Sequence, residues 1–524
     1  MLIIIPNIEI FLNVFKSPNE NWVHIKQYLL RGYILNSFRL IFISGLLTVI
    51  IGIGLSWIIC IYDFPMRNFF KWALVLPLSI PPYIAAYTYS NMLGYTGFIQ
   101  ITLRKLNISV NQNFFDIMSV NGAIFIFTVF LYPYVYMITK SFLEKQSSAL
   151  IENARVLGRN SLEIFLYVVL PISRSAIIGG VSIVILEILN DYGVVNYFGV
   201  QTFSTAIFKT WFGMGDIDSA SRLAFMLIAV VIILLMSEKL LRGRKKYSFT
   251  TTKIKPISKI KLKGIKAFGA FIFCFTTFSL GFLIPVIQIL KWSLLTYKKV
   301  LNAEFIHLII SSLGTALITA SFIIIFALIV ANYCRLNDSI ISKVYSKITI
   351  LGYSIPGAVI AIGVIGIFVT LDRRLGWLYK ISSSNSSSLV LTTSITMLIF
   401  AYIIRFLAVG YNSIESAFEK VGNRFSEASR TLGYGITKTF FKVDLPMIKG
   451  AVFSGFFLVL IEVLKELPLT FLLRPFNFNT LATKTYEYAN DEMIHEASSV
   501  SILIIIISLI AIYFFYKIGD KEID

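Results

Sequence analysis

The sequence predicts an all-α, polytopic membrane protein of about 12 transmembrane helices, built as two tandem homologous six-helix units. Three observations lead there. Of the 524 residues, 56% are hydrophobic and only 14% charged, with a mean hydropathy of +0.78, more apolar side chain than a core surrounded by water can hide. Apolar runs recur at the roughly 20 residues that a helix needs to cross hydrocarbon, among them 40–61, 72–92, 120–139, 224–241, 308–333 and 499–516. A single shift of 275 positions then lays the second half of the chain on the first without a gap, from Ser37 onto Ser312.

Taken in order, residues 1–15 make the weakest span. The stretch is short, carries Pro6 and Glu9, and lacks the basic leader and small-residue cleavage site of a secretory signal; it reads as a truncated or late-started first helix. The first membrane unit is expected over residues 1–241. A basic linker follows over 242–266, from Arg242, Arg244, Lys245 and Lys246 to Lys263 and Lys266, and the second unit over 267–524. The repeat carries Ser79-Ile80-Pro81 onto Ser354-Ile355-Pro356, Glu152 onto Glu427, Arg155 onto Arg430, Pro171 onto Pro446 and Lys209 onto Lys484. Register held over that length marks duplication, and parallel repeats leave a shared interface near the centre where a substrate path is expected.

The formal charge of +19 lies in loops between apolar spans rather than on one soluble face, so it sets orientation and contacts anionic lipid; nucleic acid is not an expected partner. Helices alternating from a cytoplasmic N-terminus put roughly 29 Lys/Arg in cytoplasmic loops and about 14 outside. The linker and the C-terminus are therefore expected to be cytoplasmic. Cys60, Cys274 and Cys334 show no paired spacing, and His24, His307 and His495 no HExxH spacing, so neither a disulfide nor a stably held metal is indicated. No nucleophile, base and orienting group recur at the spacing of an enzyme site. No stretch reads GxxxxGK[ST], so the chain is expected to bind no nucleotide by that route and no cofactor of its own.

Both halves carry Glu-x-(Ala/Ser)-Arg-x-Leu-Gly, nine residues, then Val-x-Leu-Pro: Glu152, Ala154, Arg155, Gly158 and Pro171, and Glu427, Ala428, Arg430, Gly433 and Pro446. The pattern reads as a short helix ended by a glycine at positive φ, with a proline at the start or kink of the next membrane helix. This segment resembles the EAA loop of binding-protein-dependent ABC importer permeases, the element that docks into the ATPase. Asn153 and Ser429 stand where that loop has alanine, and Val168 and Val443 where it favours isoleucine. Asp63-Phe64-Pro65, Leu76 to Pro81, Asn190-Asp191-Tyr192-Gly193, Lys465-Glu466-Leu467-Pro468 and Leu473 to Phe478 narrow the likeness to Fbp-type ferric-iron permeases. The resemblance implies two copies of an ABC ATPase, which use the ATP and its magnesium, a periplasmic or lipid-anchored ferric-iron-binding protein, and residence in the bacterial cytoplasmic (inner) membrane. Related fused permeases carry thiamine or other small solutes, so the chief rival reading is the same machine moving another solute such as thiamine or an oxyanion. A proton-coupled secondary transporter could also place carboxylates at a repeat interface, but would not need two matched docking loops.

Glu187 and Asp191 share a helix face, and Glu462 and Glu466 repeat the pair 275 positions on. Charge inside a span costs about 2.5–3.5 kcal/mol on insertion scales, so it is kept for a path or a partner. One reading makes these four, with Asn190, Tyr192 and Lys465, the lining of a translocation path for a hard cation. The other leaves them solvated at outer helix ends or paired with Lys465, and puts Tyr192 and Tyr197 in the interfacial aromatic belt.

Overall fold

The computed structural model describes residues 5–108, 115–144, 149–242, 259–337, 339–382 and 389–521. Most of the linker, residues 243–258, lies outside them. Eight helices among the described residues are long and apolar enough to cross a membrane, or up to eleven if each of three bent pairs is one span. With the short N-terminal helix Ile5–Val14 these give six apolar elements on each side of residues 243–258.

Prolines account for the bends. The run 72–92, expected as a membrane span, breaks between Arg67–Ser79 and Pro82–Lys105 at 92°. Ile80 is extended there (φ −102°, ψ 111°), because a following proline disfavours the helical region, and neither Pro81 nor Pro82 has an N–H to continue the ladder. The second repeat does the same before Pro356, where Ile355 is extended (φ −87°, ψ 126°) and the pair Ile340–Ser354 and Gly357–Trp377 bends by 112°.

The chain forms two compact units. One comprises His24–Ala206 and Ala229–Trp292. Its core is three helices, α1 (Leu30–Ile61), α2 (Val120–Glu144) and α3 (Leu170–Asn190). A Cβ on Gly52 of α1 would come within 2.7 Å of the Val135 Cβ on α2, and one on Gly180 of α3 within 2.9 Å of the Val135 Cα. Lipid gives apolar helices no hydrophobic reason to associate, so close backbone approach and dispersion hold them. Helix Gly264–Phe278 belongs to this unit, with Phe278 edge-on to Phe69 and Phe271 to Phe70. Two residues on each side, Tyr62–Asp63 and Ile260–Lys261, pair as a minimal parallel ladder.

The other unit comprises Met1–Val23, Ile207–Ile228 and Ser293–Asp524. Its core is α4 (Ala303–Leu336), α5 (Ile395–Val421) and α6 (Lys449–Lys465). The same three-helix contact recurs with the small residue moved to the middle helix: Gly410 on α5 stands where Val135 did, its Cβ position 3.0 Å from Ile323 Cγ2. The N-terminal helix joins this unit, with Pro6 packed into the space left by Gly363 and Phe11 beside Phe225.

The compact units thus cut across the expected boundaries 1–241, 242–266 and 267–524. Residues 1–23 fold with the second repeat and residues 264–292 with the first. Sequence repeats record duplication, whereas compact units follow where each helix buries its apolar face.

Candidate functional site

Two loops and two helix breaks carry the residues singled out by sequence. In the first loop, helix Ala149–Val156 ends at Gly158, whose φ is +80°. The Gly158 N–H donates to Arg155 O at 2.9 Å and the Arg159 N–H to Ala154 O at 3.1 Å, which closes the last carbonyls of the helix as a left-handed cap does. Asn160 then opens Ser161–Ile164 with a capping box, its Oδ1 accepting from the Glu163 N–H at 2.9 Å and its N–H donating to Glu163 Oε2 at 3.1 Å. The second loop repeats the stop. Helix Arg424–Thr431 ends at Gly433, φ +86°, with the Gly433 N–H on Arg430 O at 3.0 Å and the Tyr434 N–H on Ser429 O at 3.2 Å.

Pro171 and Pro446 sit just beyond π-helical turns, Phe165–Val169 and Phe440–Asp444. A widened turn absorbs the hydrogen bond that each proline cannot make. The expected kink is clear in the second repeat, where Ile436–Met447 and Lys449–Lys465 meet at 74°.

Glu427, Ala428 and Arg430 are exposed and Glu152 and Arg155 half-buried, whereas Ala154 is buried. The residue equivalent to Ala154 is Ser429, also buried, so Ala428 lies on the outer face instead. Val156, Leu157 and Leu432 are 87%, 81% and 80% exposed.

At the far end of α3 the helix stops at Asp191 (φ −69°, ψ 131°). The Asp191 carboxylate accepts from the N–H groups of Val194 at 2.8 Å and Val195 at 3.4 Å, capping the short helix Gly193–Tyr197. Glu466 does the same in the second repeat, accepting from the Leu469 N–H at 2.9 Å ahead of Pro468–Leu473. Glu466 also pairs with Arg405 at 2.9 Å, with both side chains at most 6% exposed. Gly357 makes the room: a Cβ there would stand 1.9 Å from Arg405 Nη1. Asp191 and Glu466 are thus tied into helix caps. Glu187 and Glu462 are half-buried one turn before the breaks, with Asn190 and Lys465 half-buried and Tyr192 buried beside them.

Sequence reading missed Arg405, Arg335 and Asp444. Arg405 interrupts an apolar run, which was signal enough. Arg335 and Asp444 hide at a span end and a loop end, and only contact shows that they pair, at 2.6 Å.

Apolar helices long enough to cross a membrane, in two copies that each carry a glycine-ended loop helix, define a polytopic membrane protein of duplicated design. The chain belongs to the family of binding-protein-dependent transport system inner membrane components, which matches residues 52–238 and 323–524. It is a transport subunit rather than an enzyme. A ferric-iron transport system permease of Haemophilus influenzae is 24% identical over 88% of this chain and 84% of its own length. A ferric transport system permease of Actinobacillus pleuropneumoniae is 20% identical over 99% of this chain and 77% of its own. A sulfate transport system permease of Escherichia coli is 26% identical over 39% of this chain and 73% of its own.

Proposed function

We propose that this chain is the permease of a ferric-iron importer, with two copies of an ABC ATPase on its two loop helices and an iron-binding protein delivering cargo on the opposite face. The observation that carries the cargo is the likeness to ferric permeases through both repeats, along 88% and 99% of the chain. The two matching glycine-terminated loops support the ATPase stoichiometry. The loops, the linker and the C-terminus then face the cytoplasm, where ATP is. Glu187 and Glu462, with Asn190, Tyr192 and Lys465 beside them, line the path in this reading. Asp191 and Glu466 shape it by capping the breaks. A trivalent ion needs oxygen ligands to replace part of its hydration, and sites that are weak and divided let it leave again.

The test is uptake into proteoliposomes holding the chain, its ATPase and its binding protein. Radiolabelled ferric iron should enter only with internal-facing ATP, be blocked by vanadate, and be unaffected by excess sulfate or thiamine. The double variant Glu187→Gln/Glu462→Gln should lower uptake by on the order of tenfold, since amides keep the shape and remove the charge. Uptake of sulfate or thiamine in place of iron would overturn the cargo. Iron uptake insensitive to vanadate and abolished by a protonophore would overturn the ATPase.

A further inference from the structure

The two loop helices rest on their membrane helices through equivalent positions, yet the chemistry of the two seats is opposite. In the first, Cys60 at the end of α1, Leu143 at the end of α2, and Ala154, Ile164 and Val169 of the loop form one buried apolar cluster with Trp57, whose ring lies 5.3 Å from that of Phe165. The residues 275 positions on are Arg335, Phe418, Ser429, Thr439, Asp444 and Asn332. There the Arg335 guanidinium forks onto Asp444, Nη2 to Oδ2 at 2.6 Å and Nη1 to Oδ1 at 3.3 Å, with the two side chains 8% and 3% exposed. Arg335 also donates to Asn332 Oδ1 at 3.2 Å and lies 4.3 Å over the Phe418 ring. Ser426, on the second loop helix itself, donates its hydroxyl to Asp444, and the Ser429 and Thr439 hydroxyls meet at 3.1 Å.

An apolar contact is non-directional and survives small sliding. A buried two-bond fork holds one geometry, and losing either partner strands a charge without water. We propose that Arg335 and Asp444 are the positioning pair that locks the second loop helix to α4, so that the two loops pass ATPase movement to the membrane helices unequally: the second as a rigid lever, the first as a compliant seat. The inference rests on the coupling role given to the loops above.

The experiment measures ATP hydrolysed per iron imported in the reconstituted complex, with the membrane content of chain and ATPase measured alongside. Asp444→Asn and Arg335→Lys should each raise that ratio about threefold or more at unchanged content, because each keeps the bulk and loses the fork. Arg335→Cys/Asp444→Val, which copies the first seat and strands no charge, should accumulate like wild type and still raise the ratio, because it too lacks the fork. Should Asp444→Asn fail to accumulate, Arg335→Lys, which retains the charge, carries the reading. A wild-type ratio in Arg335→Lys, or in the double variant, overturns the lock. Glu152→Ala/Glu427→Ala separates the two levels: if it too leaves the ratio unchanged, the coupling role of the loops fails, whereas if it uncouples while Arg335→Lys does not, the lock alone fails.

Discussion

Gly158 and Gly433 stand at φ +80° and +86° with nothing within 4 Å of where a Cβ would lie, so backbone angle rather than space demands glycine. A left-handed residue other than glycine costs roughly 1–2 kcal/mol, asparagine least, and proline cannot reach the angle at all. Gly433→Asn should therefore keep transport close to wild type. Gly433→Pro should turn the loop helix away and uncouple ATP hydrolysis from uptake while the chain still inserts, as ATPase and uptake assays on the same vesicles would record. Wild-type coupling in Gly433→Pro would show that the cap geometry is incidental. At the same scale, Arg405 shows how a charge is kept among apolar helices: Glu466 pairs with it and Gly357 yields space for it, so three positions depend on one another.

Among the elements, the start of helix Ile217–Arg242 is tied to the N-terminal segment by hydrogen bonds. The Asp216 carboxylate accepts from the Ser219 N–H at 3.0 Å and from the side-chain amides of Asn19 at 2.6 Å and Asn21 at 3.1 Å, which ties the N-terminal segment to the helix. Burial raises the Asp216 carboxyl, and the bonds from Ser219, Asn19 and Asn21 outweigh it, leaving the group below its ordinary value. A depressed carboxyl contributes its stabilisation in full above the unfolded value of about 4 and loses it as pH falls through the folded one. Asp216→Ala should cost about 0.5–2 kcal/mol, as loss of a helix cap does. The gap in Tm between wild type and variant, read by thermal unfolding in detergent, should stay level from about pH 5 to 8 and narrow only below about pH 4. A gap that varies across neutral pH would assign the effect to another group.

For the whole molecule, orientation follows from charge. Lys/Arg are retained on the cytoplasmic side during insertion, and the strongest concentration lies in residues 242–266. Single cysteines at Lys255 and Asp520, in a chain whose own three cysteines are replaced, should resist an impermeant thiol reagent added to intact cells and react once the membrane is opened. Labelling of both in intact cells would reverse the assignment.

The sequence by itself determined the solvent, the helical class, the duplication and the two glycine-ended loops, because each rests on local composition or on spacing along the chain. Six apolar elements per repeat, and the left-handed caps at Gly158 and Gly433, follow from the residues that make them. Even the bends were latent in Pro81 and Pro356, since the restriction on the preceding residue is local. Tertiary structure decided what depends on residues far apart in sequence. It decided that residues 1–23 fold with the second repeat and 264–292 with the first, that Asp191 and Glu466 are drawn into helix caps, and that Glu466 pairs with Arg405, 61 positions away. It also decided that one loop is seated on apolar side chains and the other on an ion pair spanning 109 positions. Periodicity fixes which face of a helix is apolar, but only packing fixes which partner that face meets, and a buried charge takes its meaning from the partner.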